Sequence, residues 1–162
     1  MTARVDPIPR EARDYQGHRA GVITRLLATI IDVAVVTVFL LVVYAGIGVA
    51  VFLLSPTSFN WPVPPVWLAL VAGYCSLTVY WAATWTTGGR SYGCHVMGLR
   101  VIGRRGHPPR PSVSLLRSAF CVAFPLGFAW VLFSEQNRSL QDIVLRTSVV
   151  YDWDVRPGRV AD

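Results

Sequence analysis

Residues 25 to 54 read RLLATIIDVAVVTVFLLVVYAGIGVAVFLL, and this apolar stretch organises the rest of the chain. It is longer than the roughly 20 apolar residues that a helix needs to cross a bilayer, and it contains one acid, Asp32. Arg25 precedes Asp32 by seven residues. Both side chains therefore project from one helical face, about 10 Å apart along the axis. Because an ionised aspartate facing hydrocarbon costs about 2.5 kcal/mol or more, the sequence predicts that Asp32 faces protein or a polar cavity.

The composition is typical of a membrane protein. Hydrophobic residues make up 53% of the 162 residues, and charged residues make up 15%. Soluble domains usually contain about 25% charged residues. All 15 basic residues are arginines, and the formal net charge is +6. These arginines lie in short loops that flank apolar segments, so positive-inside membrane topology explains them better than nucleic-acid binding, and no nucleic-acid partner is expected.

Two segments are predicted to cross a membrane. The first covers about residues 26–54 and the second about residues 66–86, with an uncharged, proline-rich connector between them on the outer side. The loop after the second span carries five arginines and no acid, which predicts a multi-pass protein with a cytoplasmic N-terminus. Residues 1–17 are expected to form a cytoplasmic tail, residues 18–152 the transmembrane domain, and residues 153–162 a C-terminal tail.

Aromatic residues lie near the predicted membrane boundaries. Trp61 is in the connector, and Trp81 and Trp85 lie one helical turn apart near the cytoplasmic end of the second span. Tryptophan is enriched at membrane–water interfaces because its ring is apolar and its N–H is polar. The sequence therefore predicts that these rings lie at the two interfaces.

Residues 112–133 form a third apolar segment, and its path decides the architecture. The stretches HVMGLRVIG (residues 95–103) and RTSVVYDW (residues 146–153) have the alternating, β-branched character of two antiparallel strands. A full third crossing would put these strands on opposite sides of the membrane, so we prefer a re-entrant helical hairpin broken at Pro125 and Gly127. The predicted fold is an all-α membrane protein with two transmembrane helices, this broken third segment and a small cytoplasmic two-stranded β element. A third crossing is the alternative.

Several motifs resemble those of the RDD family, small prokaryotic membrane proteins named for one arginine and two aspartates. Arg25 and Asp32 in RLLATIID match the first two signature residues, and Asp142 in NRSLQDIVLRTSVV matches the third. The stretch TGGRSYGCHVMGLRVI is similar to the family's glycine-rich turn and strand, and Arg117 in SLLRS matches a recurrent later arginine. The resemblance extends from about residue 17 to residue 152.

The chain departs from the family pattern around its last aspartate. Gln141 stands where the family often has histidine or glycine, and Leu145 and Arg146 stand where a pair of small residues is usual. The chain therefore lacks the histidine that a proton relay at that position would need. The resemblance implies a link to transport for some members and to lipid-import machinery for actinobacterial relatives, while most members have no assigned activity.

The candidate site is a polar cluster of Arg25, Asp32, Arg117 and Asp142. We expect Arg117 to be the close partner of Asp32, because a bidentate arginine–carboxylate pair offsets burial best. Asp142 is expected to brace the cluster, and Ser139 to Asp142 has capping-box spacing with aspartate in place of glutamate. The cluster either locks the spans together or serves as a proton-responsive, cation-responsive or anionic-lipid site, and the sequence leaves both interpretations open.

The sequence favours a non-enzymatic accessory or scaffolding subunit of a larger inner-membrane complex. The resemblance to the RDD family implies a lipid transporter of an actinobacterial host as the expected complex. The alternative is an oligomeric cation or proton transporter that uses Asp32. Expected partners are integral membrane proteins and, near the arginine-rich loop, anionic lipid head groups. Cys94 and His95 lack a second ligand pair, and no serine, histidine and acid set suggests nucleophilic catalysis, so no metal, cofactor or enzyme activity is predicted.

Overall fold

The computed structural model describes residues 16–103, 106–124 and 139–153. Within them the chain is mostly helical, with two long apolar helices and a small antiparallel sheet. Residues 1–15 of the predicted N-terminal tail and residues 154–162 of the predicted C-terminal tail lie outside the described residues. The proposed break at Pro125 and Gly127 also lies outside them.

The two long helices match the predicted spans. Helix α1 spans Val22–Leu54 and helix α2 spans Val66–Thr87, and both are long and apolar enough to cross a membrane. Of the most apolar 18 residues of α1 only 17% are buried within the chain, and of those of α2 only 11% are. These helices therefore do not form the core of a soluble protein. At 33 residues α1 is about 50 Å long, well beyond the roughly 30 Å of a hydrocarbon core.

Prolines and glycines set the limits of both helices. Helix α1 ends two residues before Pro56, and the proline ring disfavours a helical conformation of Ser55 between them. Helix α2 starts directly after Pro65 and ends before Gly88 and Gly89. Gly89 has a φ of +69°, a left-handed conformation that glycine adopts without steric cost, and the chain after it packs against the N-terminal part of α1.

A two-stranded sheet closes this end of the molecule. Strand β1, Leu99–Ile102, pairs antiparallel with strand β2, Ser148–Tyr151, so the predicted strand pairing is confirmed. The inward side chains are fully buried, with Leu99 0% and Val101 1% exposed. The chain before α1 lies along β2, because the Ala20 N–H donates to the Val149 carbonyl at 2.9 Å.

The first predicted strand begins later than expected. The stretch from residue 95 starts as a short helix α3, Tyr92–Val96, and becomes β1 only at Leu99. The Ser91 hydroxyl accepts a hydrogen bond from the Cys94 N–H and caps α3. This local cap, together with the hydrogen bond from the Gly93 N–H to the Asp32 carboxylate, stabilises a helical turn where the β-branched pattern predicted a strand.

Two further helices pack in sequence beside α2, the first against α2 and the second against the first. Helix α4 spans Pro111–Ala123, with a proline at its first turn, and helix α5 spans Leu140–Leu145. The predicted capping box at the start of α5 is confirmed: the Asp142 N–H donates to Ser139 Oγ, and the Ser139 N–H donates to Asp142 Oδ2.

The buried core lies at one end of the molecule, between the sheet, α3, α4 and the adjacent turns of α1 and α2. Beyond it, α1 and α2 expose most of their apolar side chains. The core side chains are those of Ala20, Ala28, Trp81, Trp85, Cys94, Leu99, Val101, Cys121 and Val149.

Candidate functional site

Asp142 holds two arginines from different parts of the chain. Arg25 of α1 donates through Nη1 to Asp142 Oδ2 at 2.5 Å, and Arg117 Nη1 of α4 lies 2.6 Å from Asp142 Oδ1. Neither arginine side chain is more than 3% exposed, and the aspartate side chain is fully buried. Thr147 completes the group, because it accepts from Arg117 Nη1 and donates to Asp142 Oδ1. A single carboxylate thus joins α1, α4 and α5.

Burial and charge act in opposite directions on Asp142. Burial alone raises the pKa of its carboxyl, but the Arg117 and Arg25 guanidiniums outweigh burial and lower the pKa to about 2. The carboxylate is therefore ionised throughout the physiological pH range. Each arginine keeps its counter-ion, which is the condition for tolerating a buried charge.

Asp32 occupies a second site on the same face of α1 and accepts hydrogen bonds from four donors. The Tyr80 hydroxyl and the Gly93 N–H donate to Oδ1 at 2.9 and 2.7 Å. The Trp81 Nε1–H and the Ser91 hydroxyl donate to Oδ2 at 3.0 and 2.5 Å. A carboxylate has about four lone-pair sites, so these donors use its full accepting capacity.

The turn between α2 and β1 is shaped around Asp32. Gly93 has no room for a side chain: a Cβ there would lie 2.0 Å from the Ala28 carbonyl oxygen of α1. This close approach brings the Gly93 N–H of α3 to the Asp32 carboxylate. The motif GGRSYG therefore folds around a carboxylate of its own chain.

The predicted pair between Asp32 and Arg117 is wrong. Among the described residues, no arginine lies within ion-pair distance of Asp32, and Arg117 pairs with Asp142 instead. Two physical reasons account for this. Helix α5 places the Asp142 carboxylate between the two guanidiniums, while the accepting positions of Asp32 are already used by donors from α2 and α3.

Trp81 and Trp85, which were predicted to lie at the membrane interface, face the interior of the protein. Both rings are buried, 3% and 5% exposed, and they stack with their centroids 5.4 Å apart. The guanidinium carbon of Arg117 lies 5.0 Å from the centroid of the Trp85 ring, a cation–π contact. The inward orientation lets the Trp81 N–H donate to Asp32 and lets the face of the Trp85 ring contact the Arg117 guanidinium.

A small cavity separates the two carboxylate sites. Its volume is about 30 Å³, enough for one or two water molecules, and its polar lining includes Arg25, Asp32 and Arg117. Within the described part of the chain, Arg117 Nε and Trp85 Nε1 are buried N–H groups without a protein acceptor, and both residues line this cavity. Three of the four predicted cluster residues, Arg25, Asp32 and Arg117, therefore line this cavity. Asp142 lies outside the lining and pairs with the two arginines, so the cluster divides into two hydrogen-bonded groups.

The RDD family model matches residues 19–146, a range that includes all four residues of the predicted cluster. The chain belongs to the RDD family. No match was found among curated proteins or among solved structures. The match and the two long apolar helices together indicate that this RDD chain is a membrane protein.

Several residues of the site in this RDD chain were missed from the sequence. Tyr80, Trp81, Ser91 and Gly93 hold Asp32, and Thr147 links Arg117 to Asp142. The resemblance of TGGRSYG to the family turn marked the position of Ser91 and Gly93 but not their acceptor. Nothing in the residue pattern connected Tyr80, Trp81 or Thr147 to the cluster. In residues 16–103, 106–124 and 139–153, no group of three histidine, cysteine, aspartate or glutamate side chains is arranged to hold a metal ion.

Proposed function

We propose that this RDD protein is a non-enzymatic accessory or scaffolding subunit of a larger inner-membrane complex. The observation that carries the proposal is the hydrogen bonding of Asp32. A carboxylate that loads and releases a cation needs a free accepting position, whereas Asp32 gives all four to donors fixed on α2 and α3. This arrangement favours a structural lock between the helices.

The outer surfaces of the two spans fit contacts with other membrane proteins. The only charged residues of α1 are Arg25 and Asp32, both buried, and α2 has none. Exposed apolar side chains cover much of the rest of both helices, including Leu41, Leu53 and Leu70. We expect the partners to be integral membrane proteins, and the family resemblance makes a lipid transporter the first candidate complex.

The proposed topology places the sheet and the N-terminus in the cytoplasm and only α1 and α2 across the membrane. The pairing of β1 with β2 supports it, because the intervening segment, residues 112–133 included, must leave and return to the same sheet. A third crossing would separate the paired strands. Periplasmic labelling of a tag at the C-terminus would exclude this topology.

An oligomeric cation or proton transporter that uses Asp32 is the second candidate. One observation favours it: Asp32 lines a cavity large enough for one or two water molecules. The two functions separate in reconstituted vesicles loaded with a pH-sensitive dye. The accessory function predicts no cation- or proton-driven signal from the wild type or from Asp32→Asn. A pH-dependent flux that Asp32→Asn abolishes would establish the transporter instead.

A further inference from the structure

A groove between α1 and α2 lies next to the Asp32 site on the side away from the sheet. It encloses about 520 Å³ and is lined by Val35, Val36, Phe39, Ser76, Val79 and Tyr80. Tyr80 closes the end nearest the buried core, because its hydroxyl donates to Asp32 at 2.9 Å and accepts from the Tyr92 N–H at 3.0 Å. The walls are otherwise almost entirely apolar. A long apolar ligand thus fits this groove better than water does.

The depth of the groove matches one leaflet of a bilayer. Val79 and Cys75 lie eight and twelve residues before Thr87, the last residue of α2. At 1.5 Å per residue these distances are about 12 and 18 Å. Half of a hydrocarbon core is about 15 Å thick. An acyl chain whose head group is level with the end of α2 would therefore reach the groove.

The charge at the end of the molecule that carries the sheet is positive. The described residues contain seven arginines and three aspartates, a net charge of 7 − 3 = +4, and α2 and the part of α1 after Asp32 contain no charge. Arg110 and Arg146 are exposed at this end. Helix α3 lies above the closed end of the groove and exposes Tyr92, a ring and hydroxyl suited to the head-group region. This end complements an anionic head group.

The shape of the walls favours an acyl chain over a helix of a partner protein. Close helix packing in membranes relies on small residues that let two backbones approach. Cys75 and Ser76 are small, but the α1 wall carries Val35, Val36 and Phe39. A narrow, flexible chain can follow this wall, whereas a second helix would be held away from it.

We propose that the groove binds one acyl chain of an anionic phospholipid whose head group lies at the basic end, beside α3. The binding uses the membrane topology proposed above but not the accessory role. Failure to recover partner proteins would therefore leave this proposal standing, and failure of lipid binding would leave the accessory role standing.

Native mass spectrometry of the detergent-purified protein tests the proposal, with phosphatidylglycerol and phosphatidylcholine of identical acyl chains added in turn. Val79→Trp fills the groove, and Leu70→Trp is the matched control, since Val79 is 63% and Leu70 is 68% exposed on the same helix but only Val79 lines the groove. The wild type and Leu70→Trp are expected to retain phosphatidylglycerol about tenfold more than phosphatidylcholine, and Val79→Trp is expected to lose this preference. Equal retention by the two tryptophan variants, or equal retention of the two lipids by the wild type, would overturn the proposal.

The single exposed thiol of the groove gives a second measurement on the unaltered protein. Cys75 is exposed and lines the groove, whereas Cys94 and Cys121 are buried. Phosphatidylglycerol added to detergent micelles should slow the modification of Cys75 by N-ethylmaleimide, and phosphatidylcholine at the same concentration should slow it less. A labelling rate that does not respond to phosphatidylglycerol contradicts binding in the groove, even if lipid adducts are found by mass.

Discussion

Replacing Asp142 by asparagine should strongly destabilise the protein. The substitution keeps the size of the side chain but removes the shared counter-ion of Arg25 and Arg117, whose side chains are 3% and 2% exposed. Removing one partner of a buried ion pair costs about 3–5 kcal/mol, because the remaining charge stays buried without compensation. With about 2–4 °C of Tm per kcal/mol for a chain of this size, we expect Asp142→Asn to lower Tm by about 10 °C.

Asp152→Asn is the matched control for this measurement. Asp152 also pairs with two arginines, Arg90 at 2.6 Å and Arg100 at 3.1 Å, but those side chains are 15% and 18% exposed. Water screens such pairs, and they contribute about 1 kcal/mol or less, so the control should lose only a few degrees. Thermal unfolding in one detergent, followed by circular dichroism, compares the two variants directly.

A third variant separates an unpaired charge from a lost hydrogen bond. Replacing the whole group, Arg25→Met with Arg117→Met and Asp142→Leu, removes both charges that Asp142→Asn leaves unpaired. Apolar replacement of a buried ion group is often neutral or stabilising, so this variant should recover most of the lost Tm. The reasoning is refuted if Asp142→Asn lowers Tm no more than Asp152→Asn does.

Three further predictions concern pH, the space around Gly93 and the backbone conformation of Arg146. Because the Asp142 pKa is lowered from 3.8 to about 2 on folding, its stabilisation of about 2 kcal/mol is fully present above the unfolded pKa and is lost as pH falls towards 2. Tm measured between pH 6 and pH 2 should fall across this interval, and the fall should be smaller in Asp142→Asn. Gly93→Ala should prevent a stable fold, because the new Cβ would lie 2.0 Å from the Ala28 carbonyl, whereas Gly73→Ala, with open space at its Cβ, should keep the wild-type elution profile in size-exclusion chromatography. Arg146 has a φ of 52°, so Arg146→Gly should relieve up to about 1 kcal/mol of left-handed strain and raise Tm by a few degrees, and a lowered Tm would contradict this.

Much of the fold follows from local patterns in the sequence. Hydropathy located α1 and α2, the alternation of Leu99 and Val101 located β1, and the spacing of Ser139 and Asp142 located the cap of α5. Each of these features depends on residues close together in the chain. The short helix α3 was missed because its first turn is held by Asp32, about 60 residues earlier in the sequence.

The pairing inside the site could not be predicted in the same way. Two arginines and two aspartates in a buried cluster allow several pairings. No local pattern in the sequence favours one of these pairings over the others. The selection comes from neutral donors: Tyr80, Trp81 and Ser91 satisfy Asp32, which leaves both guanidiniums to Asp142. Tryptophan at a helix end also has two common roles, at the membrane interface or as a buried donor, and only the position of Asp32 decides between them for Trp81.

The proposed role of this RDD protein is that of a subunit in a larger membrane complex. The direct measurement is purification of the tagged protein from its native membrane in a gentle detergent, followed by quantitative mass spectrometry and by reciprocal tagging of each recovered protein. We predict that the same integral membrane proteins are recovered in fixed ratio to the RDD chain in both directions. Recovery of the chain alone, or of its homo-oligomer alone, would contradict the proposed function.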